Sequence, residues 1–577
     1  MMATRGYPDF LSYVPNELRF GTSGLRGRVR DMTDLEVYIN TRGFLDYIHW
    51  IGDVGPGDPI ALAQDLRDVD PSTGQSSSPR IALTVTQAIR DAGLLVVNCG
   101  GIPTPALAYY AQLDDPAAGK LSMPCIMVTG SHIPADRNGI KFYKRAGEVL
   151  KSDEAPILTA VDAVRNSEYA KDESRSAFDA DGRLRAPPEP DPVQHAAEVT
   201  YLQRFLGLFS GEKPLAGLRV VVYQHSAVGR DLIVRILELL GADVIAEGRS
   251  EIFVPVDTED IRRVDEQHLR ALARRYSPDA IVSTDGDGDR PIVADELGRF
   301  HRGDVLGIIT AEFLGAEFVA VPINTTDAVD IWVQHHRSGI VVEKTRIGSP
   351  YVIAAMQRAI AGGRTGVVAW EANGGFLTGT DFTINRRTLP ALATRDAMLP
   401  ILAALLSAVR RGVPVSRLFD ALPQRVTSSG LLDDVPQAVS KAILARFSPC
   451  DGTVMEVVYD KSTVRITGAP DQDTVSTARG TQADELLALR QTIQQVFSAA
   501  DGYRPVVRLN YTDGVRIWFG NGDIVHIRSS GNAPQLRIYT VSGSAHRSDE
   551  MVCLAIREPD GLLHWMARNL AGTGAGV

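Results

Sequence analysis

Three aspartates in one short loop are the strongest chemical feature of the sequence. Asp285, Asp287 and Asp289 alternate with glycines and follow the apolar run 280–283, which is typical of a buried strand. A tight turn of this kind aims several carboxylate oxygens at one point. Two unit charges ~4 Å apart repel by about 4 kcal/mol at an effective dielectric constant of about 20, so the three carboxylates need a cation. Oxygen ligands favour Mg²⁺ or a similar hard ion.

Two other interpretations of this loop stay open. A calcium-binding EF-hand would explain Glu296, which falls at the twelfth position of the loop. Arg290, however, stands where that motif needs glycine, and a strand precedes the loop. An acidic turn exposed to solvent would need no ion at all. Further polar loops elsewhere in the chain favour the metal site.

A serine that follows another buried strand is the second candidate. Ser131 lies in the turn 129–134, at the end of the apolar run 125–129. Open α/β sheets bind their ligands at the carboxyl ends of the strands, so this hydroxyl would stand at the usual place for chemistry. A helix cap or an ordinary turn residue is the alternative.

Two further loops combine polar side chains with glycine. Residues 527–534, together with Arg537, offer guanidinium groups, hydroxyls, an amide and the free N–H groups of a glycine turn, which suit a phosphate. Residues 371–376 place a glutamate and an asparagine beside two glycines, where the backbone can approach a ligand closely. Ordinary loops are the alternative in both cases.

Strands and helices alternate along the chain in three successive segments. Short, continuous apolar runs are typical of parallel strands covered on both faces. The predicted strands are 59–64, 94–99, 125–129, 218–223, 244–247, 280–283, 318–323, 340–343 and 366–370. The predicted helices are 33–48, with the capping-box spacing of Thr33 and Glu36, and 79–92, 230–240, 260–276, 305–314 and 350–360. We therefore predict three similar α/β units in series.

The polar, proline-rich residues 172–195 predict a linker. After about residue 425 the pattern changes to the strands 453–458, 463–467, 506–511, 514–519, 523–527 and 536–540 and two helices, 437–447 and 483–499. An Asn-Gly turn at 521–522 predicts a hairpin. We predict a separate α+β domain there, and the domains 1–195, 196–303, 304–424 and 425–577.

Composition and charge restrict the class of protein. The chain has 577 residues, too many for one compact domain. With 60 basic and 70 acidic residues the formal charge is −10, which argues against binding to nucleic acid or an anionic membrane. The longest apolar stretch, 397–409, is shorter than the ~20 residues of a membrane-spanning helix. Scattered cysteines and an N-terminus without a signal pattern predict a globular protein of the reducing cytoplasm.

These loops together resemble the motifs of the α-D-phosphohexomutase family, which includes phosphomannomutases and phosphoglucomutases. The similarity spans nearly the whole chain, begins with Phe-Gly-Thr-Ser-Gly-Leu-Arg-Gly at 20–27 and includes the segment 345–348. The motifs follow one another in the family's order. The resemblance implies three similar α/β domains with mixed, largely parallel sheets, plus a C-terminal α+β domain, around a central cleft.

The resemblance also implies an activity, the interconversion of hexose 1-phosphate and hexose 6-phosphate, with mannose or glucose as the sugar. The reaction would pass through a phosphoserine and a hexose 1,6-bisphosphate that turns around in the cleft. The cofactors would be Mg²⁺ and hexose 1,6-bisphosphate as activator. The partners would be small sugar phosphates, with neither nucleic acid nor membrane, and the chain would be a monomer or homodimer. A hexose-bisphosphate synthase or sugar-phosphate hydrolase, or an inactive relative that binds phosphosugars, stays open.

The roles of individual residues follow from the resemblance. Ser131 matches the phosphorylated serine and, with the three aspartates, the Mg²⁺ ligands. Lys141 matches a family lysine and would be the general acid or base, with a pKa lowered by Arg26, Arg290 and the ion. Arg26 and His132 would orient the phosphoryl group. The positions implied to bind substrate are Arg290, Thr345, Gly348, the sugar-contacting Glu371 and Asn373, and the phosphate-gripping Arg528, Ser530, Asn532 and Arg537.

The sequence departs from the family's motifs in three loops. Ile133 stands where asparagine is usual, and Gly375 stands where some members have a histidine proposed for proton transfer. Asn532 and Ala533 replace the commoner Thr-Glu. These departures bear on which sugar is bound more than on the reaction.

Overall fold

The computed structural model of the chain describes residues 10–21, 24–67, 77–114, 121–259, 261–336, 339–460, 463–468, 475–530 and 534–570. Asn532, Ala533, part of the segment 20–27 and the predicted start of one helix at Asp260 lie outside these residues. The chain divides into two compact units. The first contains Met1–Val321, Ser338–Glu343 and Gly348–Ala421, and the second contains Pro322–Arg337, Lys344–Ile347 and Leu422–Val577.

The first sheet of the first unit carries the serine turn. Its elements are β1 (Arg19–Phe20), β2 (Leu25–Arg28), α1 (Asp34–Trp50), β3 (Pro59–Gln64), α2 (Ser78–Asp91), β4 (Leu95–Gly101), α3 (Thr104–Gln112), β5 (Cys125–Val128), β6 (Arg137–Lys144), β7 (Gly147–Glu148) and α4 (Lys151–Tyr169). The strand order is β1-β2-β6-β5-β3-β4, with β7 beside β6. The strands β3, β4 and β5 are parallel, as their apolar runs predicted.

The predicted capping box at the start of α1 forms only in part. Thr33 Oγ1 accepts a hydrogen bond from the Glu36 N–H at 3.4 Å. The Glu36 side chain, fully buried, instead accepts from Arg165 Nη1 at 2.6 Å. A buried carboxylate gains more from a guanidinium than from one backbone N–H, so tertiary structure overrides the local motif.

The predicted linker packs against the first sheet's core. Residues 172–195 hold no regular element beyond a 3₁₀ turn at Glu173–Arg175 and one bridge between Phe178 and Leu184. Both bridged side chains are buried in the core beside α1, and the Phe178 ring lies 5.3 Å from the Tyr38 ring in an edge-to-face arrangement. The segment is irregular as predicted, but it is anchored.

The second sheet carries the acidic loop. Its elements are α5 (Ala196–Leu206), β8 (Arg219–Tyr223), α6 (Arg230–Leu239), β9 (Asp243–Glu247), α7 (Arg263–Tyr276), β10 (Ala280–Thr284), β11 (Pro291–Asp295) and β12 (Phe300–His301). The order is β12-β11-β10-β8-β9, with β8, β9 and β10 parallel. The buried, antiparallel pair of β10 and β11 holds both ends of the acidic loop, with Thr284 opposite Pro291.

The third sheet carries the predicted sugar loop. Its elements are α8 (Gly303–Leu314), β13 (Phe318–Pro322), α9 (Ala328–His336), β14 (Val341–Thr345), α10 (Ser349–Ala361), β15 (Val367–Trp370), β16 (Phe376–Thr378), β17 (Phe382–Ile384), β18 (Arg387–Leu389), β19 (Leu392–Asp396), α11 (Met398–Arg411) and α12 (Val415–Asp420). The strand order is β14-β13-β15-β16-β19, and β17 and β18 form a separate hairpin. The apolar stretch 397–409 forms most of the buried helix α11. No helix among the described residues is both long and apolar enough to cross a membrane.

The second unit is built on one antiparallel sheet of eight strands. Its C-terminal elements are β20 (Val426–Leu432), α13 (Gln437–Ala445), β21 (Glu456–Tyr459), β22 (Val464–Thr467), β23 (Val475–Thr477), α14 (Thr481–Val496), β24 (Val506–Asn510), β25 (Val515–Phe519), β26 (Ile524–Ser529), β27 (Leu536–Ser542), α15 (Ala545–Ile556) and α16 (Leu562–Asn569). The order is β20-β27-β26-β25-β24-β21-β22-β23. The predicted hairpin joins β25 to β26, with Gly522 at φ +84°.

The prediction of only two secure C-terminal helices is wrong. The structure adds α15 and α16, each of which buries only a short stripe of apolar side chains against the sheet. Such short amphipathic segments give a weak periodic signal and are stabilised by packing. The predicted fold class, three α/β domains with mixed sheets and a C-terminal α+β domain, is confirmed. The exact domain boundaries stay a prediction.

Candidate active site

The serine turn begins where β5 ends. Ser131 is buried and has a left-handed backbone, with φ at +56°, a conformation that costs a non-glycine residue roughly 1–3 kcal/mol and clusters at functional sites. The Ser131 N–H donates to Thr129 Oγ1 at 2.8 Å, which holds the turn. Ser131 Oγ donates to Asp285 Oδ2 at 2.5 Å. The turn therefore presents its hydroxyl directly to the acidic loop.

A buried arginine holds the serine turn from the end of β3. Arg67 Nε lies 3.6 Å from Asp65 Oδ2, which also accepts from Thr129 Oγ1 at 2.7 Å. The Arg67 guanidinium donates to four backbone carbonyls at 2.7–3.1 Å, those of Ser131, Ile133, Pro134 and Arg137. It also stacks on the Phe253 ring, with its central carbon 3.8 Å from the ring centroid. One guanidinium thus fixes the path of the whole turn.

Arg67→Lys should loosen this turn. Lysine keeps the charge but cannot reach four carbonyls, and each buried carbonyl left without a donor costs roughly 1–3 kcal/mol. We expect unfolding to become easier by at least about 2 kcal/mol and kcat to fall as well. Thermal unfolding and steady-state rates measure the two effects.

Arg145→Lys is the matched control, because Arg145 also donates to the Asp53 carbonyl, at 3.0 and 3.2 Å, but away from the serine turn. It should lower stability and leave kcat unchanged. Wild-type stability and kcat in Arg67→Lys would show that the turn does not depend on this guanidinium.

The three aspartates form the cluster that the sequence predicted. Asp285, Asp287 and Asp289 are buried, and one carboxylate oxygen of each lies within 4.8 Å of the others. Within the described part of the chain, Asp287 Oδ1 and Asp289 Oδ1 are buried without a hydrogen-bond partner. Three buried carboxylates with oxygens this close together, two of them with an oxygen that lacks a hydrogen-bond partner, fit a hard divalent cation. The cluster could therefore bind a metal ion.

The acidic loop reaches the serine turn because of a glycine and a threonine. A Cβ on Gly286 would lie 2.6 Å from the Ser131 carbonyl oxygen, so no larger residue allows this approach. Thr104, the first residue of α3, donates through its N–H to the Asp287 carbonyl at 2.9 Å and through Oγ1 to Asp287 Oδ2 at 2.5 Å. The loop is thus fixed to the first sheet's helix.

Cationic side chains already surround the cluster. Lys141 Nζ lies 2.6 Å from Asp287 Oδ2 and 2.6 Å from Asp289 Oδ2. Arg395 Nη2 donates to Asp289 Oδ2 at 2.8 Å. Arg290 Nε lies 3.6 Å from Asp289 Oδ1. The positive charge that the three carboxylates need therefore comes in part from lysine and arginine side chains of the chain itself.

The carboxylates of one loop have opposite pKa shifts. Burial, with Asp287 and Asp289 close by, raises the pKa of Asp285 well above its usual value. Burial would also raise the pKa of Asp289, but Arg395, Lys141 and Arg290 hold it well below its usual range. Without a metal ion, Asp285 therefore binds a proton more readily than Asp289, which stays ionised.

The pKa of Lys141 is raised in the metal-free chain, so the expectation of a lowered pKa is wrong there. Burial of the ammonium group acts in that direction, but the nearby Asp287 and Asp289 carboxylates outweigh it and raise the pKa above the usual value. The resemblance implied that Lys141 lies beside cations, whereas the fold places it between two aspartates. Lys141 therefore holds its proton at neutral pH.

Arg26, Arg290 and His132 are gathered at the same place. Arg26 pairs with Gly139 across β2 and β6, and burial together with Arg290 and Arg395 lowers its pKa to about 10. His132 Nδ1 lies 3.4 Å from Ser131 Oγ. Burial, Arg290 and Arg26 lower the pKa of His132 well below its usual value, so its imidazole is neutral at neutral pH.

The predicted sugar loop joins this site through Arg395. Glu371, also buried, accepts from Arg395 Nη1 at 2.7 Å through Oε2. Asn373 is held by a different segment, because its Nδ2 donates to Glu259 Oε1 at 3.3 Å and its carbonyl accepts from Thr258 Oγ1 at 2.8 Å. Both sugar-loop residues are therefore tied to groups that the sequence did not single out.

Gly348, in the first unit, directly precedes α10 as its N-cap residue. The next residue, Ser349, donates to Glu148 Oε2 at 2.8 Å, and Glu148 Oε1 accepts from Thr394 Oγ1 at 2.6 Å. Thr394 directly precedes Arg395 along β19. This contact chain connects Gly348 to the sugar-loop region.

The remaining predicted residues lie in the second unit. Arg528 and Arg537 face each other across β26 and β27, and Arg528 Nε lies 3.7 Å from Asp513 Oδ1. The Ile347 N–H, two residues after Thr345, donates to Asp513 Oδ2 at 3.1 Å. Ser530 follows β26 and is buried, and its N–H donates to the Gln535 carbonyl at 3.0 Å. Asn532 lies outside the described residues. The segment 345–347 and the predicted phosphate loop thus share one aspartate.

Sequence reasoning missed Arg395, Thr104, Glu259 and the pair of Asp65 and Arg67. A signal existed for the pair, because both residues directly follow the buried strand β3, at the sheet edge where ligands bind. Arg395 lies in an ordinary short strand, β19, and no spacing in the sequence connects it to Asp289 or Glu371.

Comparison with known proteins finds relatives over most of the chain. The chain matches the models of phosphoglucomutase/phosphomannomutase alpha/beta/alpha domains I, II and III over residues 17–168, 200–298 and 302–426. It is 37% identical to a phosphomannomutase of Sinorhizobium fredii, over 96% of this chain and 98% of that protein. It is 35% identical to a phosphomannomutase of Salmonella muenchen, over 91% and 92%.

A solved structure shares the fold. The crystal structure of a phosphoglucomutase/phosphomannomutase family protein from Burkholderia thailandensis superimposes with a TM-score of 0.64 over 96% of this chain and 98% of that chain, at 17% identity. The three matched models follow one another along the chain in the order I, II and III, and the serine turn and the acidic loop lie within the ranges matched to domains I and II. The chain therefore belongs to the phosphoglucomutase/phosphomannomutase family and is a phosphohexomutase.

Proposed function

We propose that this phosphohexomutase interconverts hexose 1-phosphates and hexose 6-phosphates, with mannose preferred over glucose. The observation that carries the proposal is the hydrogen bond from Ser131 Oγ to Asp285 at the buried acidic loop. A hydroxyl held there among fixed cations is suited to carry a phosphoryl group. The preference for mannose is supported by the two relatives named phosphomannomutases, at 37% and 35% identity.

Asp285, Asp287 and Asp289 would hold Mg²⁺ together with a phosphate on Ser131. A phosphoserine adds roughly −1.5 to −2 charges to the three carboxylates. Bound there, the ion would neutralise part of this charge and polarise the phosphoryl oxygens. Within the described part of the chain, Asp287 Oδ1 and Asp289 Oδ1 have no hydrogen-bond partner and could bind the ion.

The reaction transfers one phosphoryl group in each of two halves. In the first half the bond between phosphorus and Ser131 Oγ breaks, and a bond forms between phosphorus and the free hydroxyl oxygen of the sugar phosphate. The hydroxyl proton passes to Ser131 Oγ, which leaves free serine and a hexose 1,6-bisphosphate. After the bisphosphate turns around, its other phosphoryl group returns to Ser131 Oγ, and the serine proton passes to the sugar oxygen. The same bisphosphate, when added, would restore phosphoserine and act as activator.

Lys141 is our candidate for the group that relays the proton. It is fixed at 2.6 Å from two aspartates of the loop that binds the Ser131 hydroxyl through its third aspartate. Its ammonium group can donate a proton to the oxygen that loses phosphorus. Arg26 and His132 would orient the transferred phosphoryl group.

Several further residues are proposed to bind the substrate. Glu371 and Asn373 would contact sugar hydroxyls. The remaining proposed substrate contacts are Arg290, Thr345, Gly348, Arg528, Ser530, Asn532 and Arg537, of which the last four would grip the phosphate that does not react. The substrate must bind in two orientations, so a fixed phosphate grip keeps either reacting oxygen in place.

Initial rates with mannose 1-phosphate and glucose 1-phosphate test this proposal. With Mg²⁺ and added hexose 1,6-bisphosphate, we expect conversion of both to 6-phosphates, with the larger kcat/KM for mannose. Accumulated bisphosphate as the main product would instead indicate a synthase, and released inorganic phosphate would indicate a hydrolase. Binding without conversion would indicate an inactive relative. Each of these three results contradicts the proposal.

A further inference from the structure

Arg395 is a buried cation that two carboxylates from different sheets share. Its side chain is 3% exposed. Nε and Nη2 donate to Asp289 Oδ2 at 3.0 and 2.8 Å, and Nη1 donates to Glu371 Oε2 at 2.7 Å. All three side chains are buried, so water and salt screen these interactions little. The guanidinium therefore links the acidic loop to the sugar loop.

The sugar loop is shaped around the Arg395 side chain. A Cβ on Gly375 would lie 2.5 Å from Cδ and 2.7 Å from Cγ of Arg395, so any larger residue would displace the arginine. The neighbours of Arg395 are also fixed, because Thr394 donates to Glu148 at 2.6 Å and Asp396 accepts from Tyr201 at 2.6 Å. The close contact with Gly375 and the hydrogen bonds of the two neighbouring residues thus fix the position of the guanidinium.

Arg395 has different effects on its two carboxylates: it disfavours a metal cation at Asp289, and it stabilises the buried charge of Glu371. At Asp289 it occupies Oδ2 and leaves Oδ1, which has no hydrogen-bond partner among the described residues, but the positive charge of Arg395 opposes the binding of a metal cation there. At Glu371 it supplies the charge that a buried carboxylate needs and holds the side chain in one orientation.

We propose that Arg395 is a positioning residue through which one guanidinium limits metal affinity at Asp289 and fixes Glu371 for the sugar. The statement about the sugar rests on the proposed function. The statement about the metal rests only on the acidic cluster and its buried counter-charge.

Arg395→Met tests both statements. For the metal, Mg²⁺ is titrated calorimetrically into Ser131→Ala and Ser131→Ala/Arg395→Met, so that neither chain carries a phosphoserine. Loss of the opposing charge should lower the dissociation constant for Mg²⁺ at least about tenfold. For the sugar, Arg395→Met with Ser131 intact should raise KM for mannose 1-phosphate at least about tenfold, with a smaller fall in kcat.

Two variants keep the buried charge and guard against misfolding. Arg395→Lys should leave the metal dissociation constant within about threefold of its parent but raise KM, because an ammonium group cannot span both carboxylates. Gly375→Ala displaces Arg395 without removing it, and it should raise KM in the same way. Arg165→Gln is the control for a purely structural arginine, since Arg165 pairs with the buried Glu36 at 2.6 Å between α4 and α1. It should lower the melting temperature and change neither constant.

Two results would overturn the proposal. Metal binding that is unchanged or weaker in the Arg395→Met chain removes the counter-charge role. An unchanged KM in all three site variants removes the positioning role. Absence of any hexose phosphate turnover in the wild-type chain would count against the proposed function, while the calorimetric comparison would still decide the metal part.

Discussion

Ser131→Ala should reduce hexose phosphate turnover by at least about 10⁴-fold, because the reaction then has no oxygen to carry the phosphoryl group. Binding of the sugar phosphate should persist, since the contacts proposed for it lie on other loops. Loss of the buried hydrogen bond to Asp285 adds a stability cost of roughly 1–3 kcal/mol. Coupled-assay rates, calorimetric binding and thermal unfolding measure the three quantities.

Ser542→Ala separates the lost hydroxyl from the lost phosphoryl carrier. Ser542 Oγ is also buried and donates to an aspartate, Asp523, at 2.8 Å, but at the end of β27 away from the predicted phosphate loop. It should cost comparable stability and retain full activity. Intact-mass spectrometry after incubation with hexose 1,6-bisphosphate should show one added phosphoryl group in wild type and Ser542→Ala and none in Ser131→Ala. Full activity in Ser131→Ala would refute the mechanism.

Lys141→Met should give the second largest loss, a fall in kcat of about 10²- to 10⁴-fold. The variant removes the proposed proton relay and leaves Asp287 and Asp289 without their closest ammonium group. Breaking a buried ion pair from one side costs roughly 3–5 kcal/mol, so the metal-free chain should also unfold at a lower temperature. Added Mg²⁺ should recover part of that stability, because a cation then occupies the acidic cluster again.

Lys141→Arg distinguishes proton relay from charge compensation. Arginine restores the positive charge but cannot release a proton at accessible pH. We expect stability near that of wild type and kcat near that of Lys141→Met. Recovery of wild-type kcat in Lys141→Arg would show that Lys141 acts only as a counter-ion.

The strands and helices of the α/β part could be predicted because their signals are local. Continuous apolar runs between polar turns marked β3, β10 and β15 within a residue or two of their observed bounds. Other elements carry weaker signals. The helices α15 and α16 are short, and their few apolar positions gain meaning only against the sheet that they cover.

Electrostatics of the site could not be predicted from neighbours in the sequence. The resemblance to the family implied a place for Lys141 beside Arg26, Arg290 and a metal ion, yet the fold puts its ammonium group between two aspartates of the acidic loop. The sign of its pKa shift depends on which charges lie within a few ångströms. The pairing of β5 with β6 and the position of the acidic loop decide how close Lys141 lies to the aspartates. Neither feature can be predicted from the spacing of these residues in the sequence.

The sequence by itself determined the chemical groups of this protein: a serine on a turn, three aspartates separated by glycines, and the buried strands that carry both to sheet edges. These features are local, because a turn needs glycine and a strand needs apolar residues wherever they stand in the fold. Only the tertiary structure decided that Ser131 donates to Asp285, that Arg67 holds the serine turn and that Arg395 links Asp289 to Glu371. Hydrogen bonds and ion pairs act over about 3–4 Å, so they depend on distances in space between residues that are far apart in the chain.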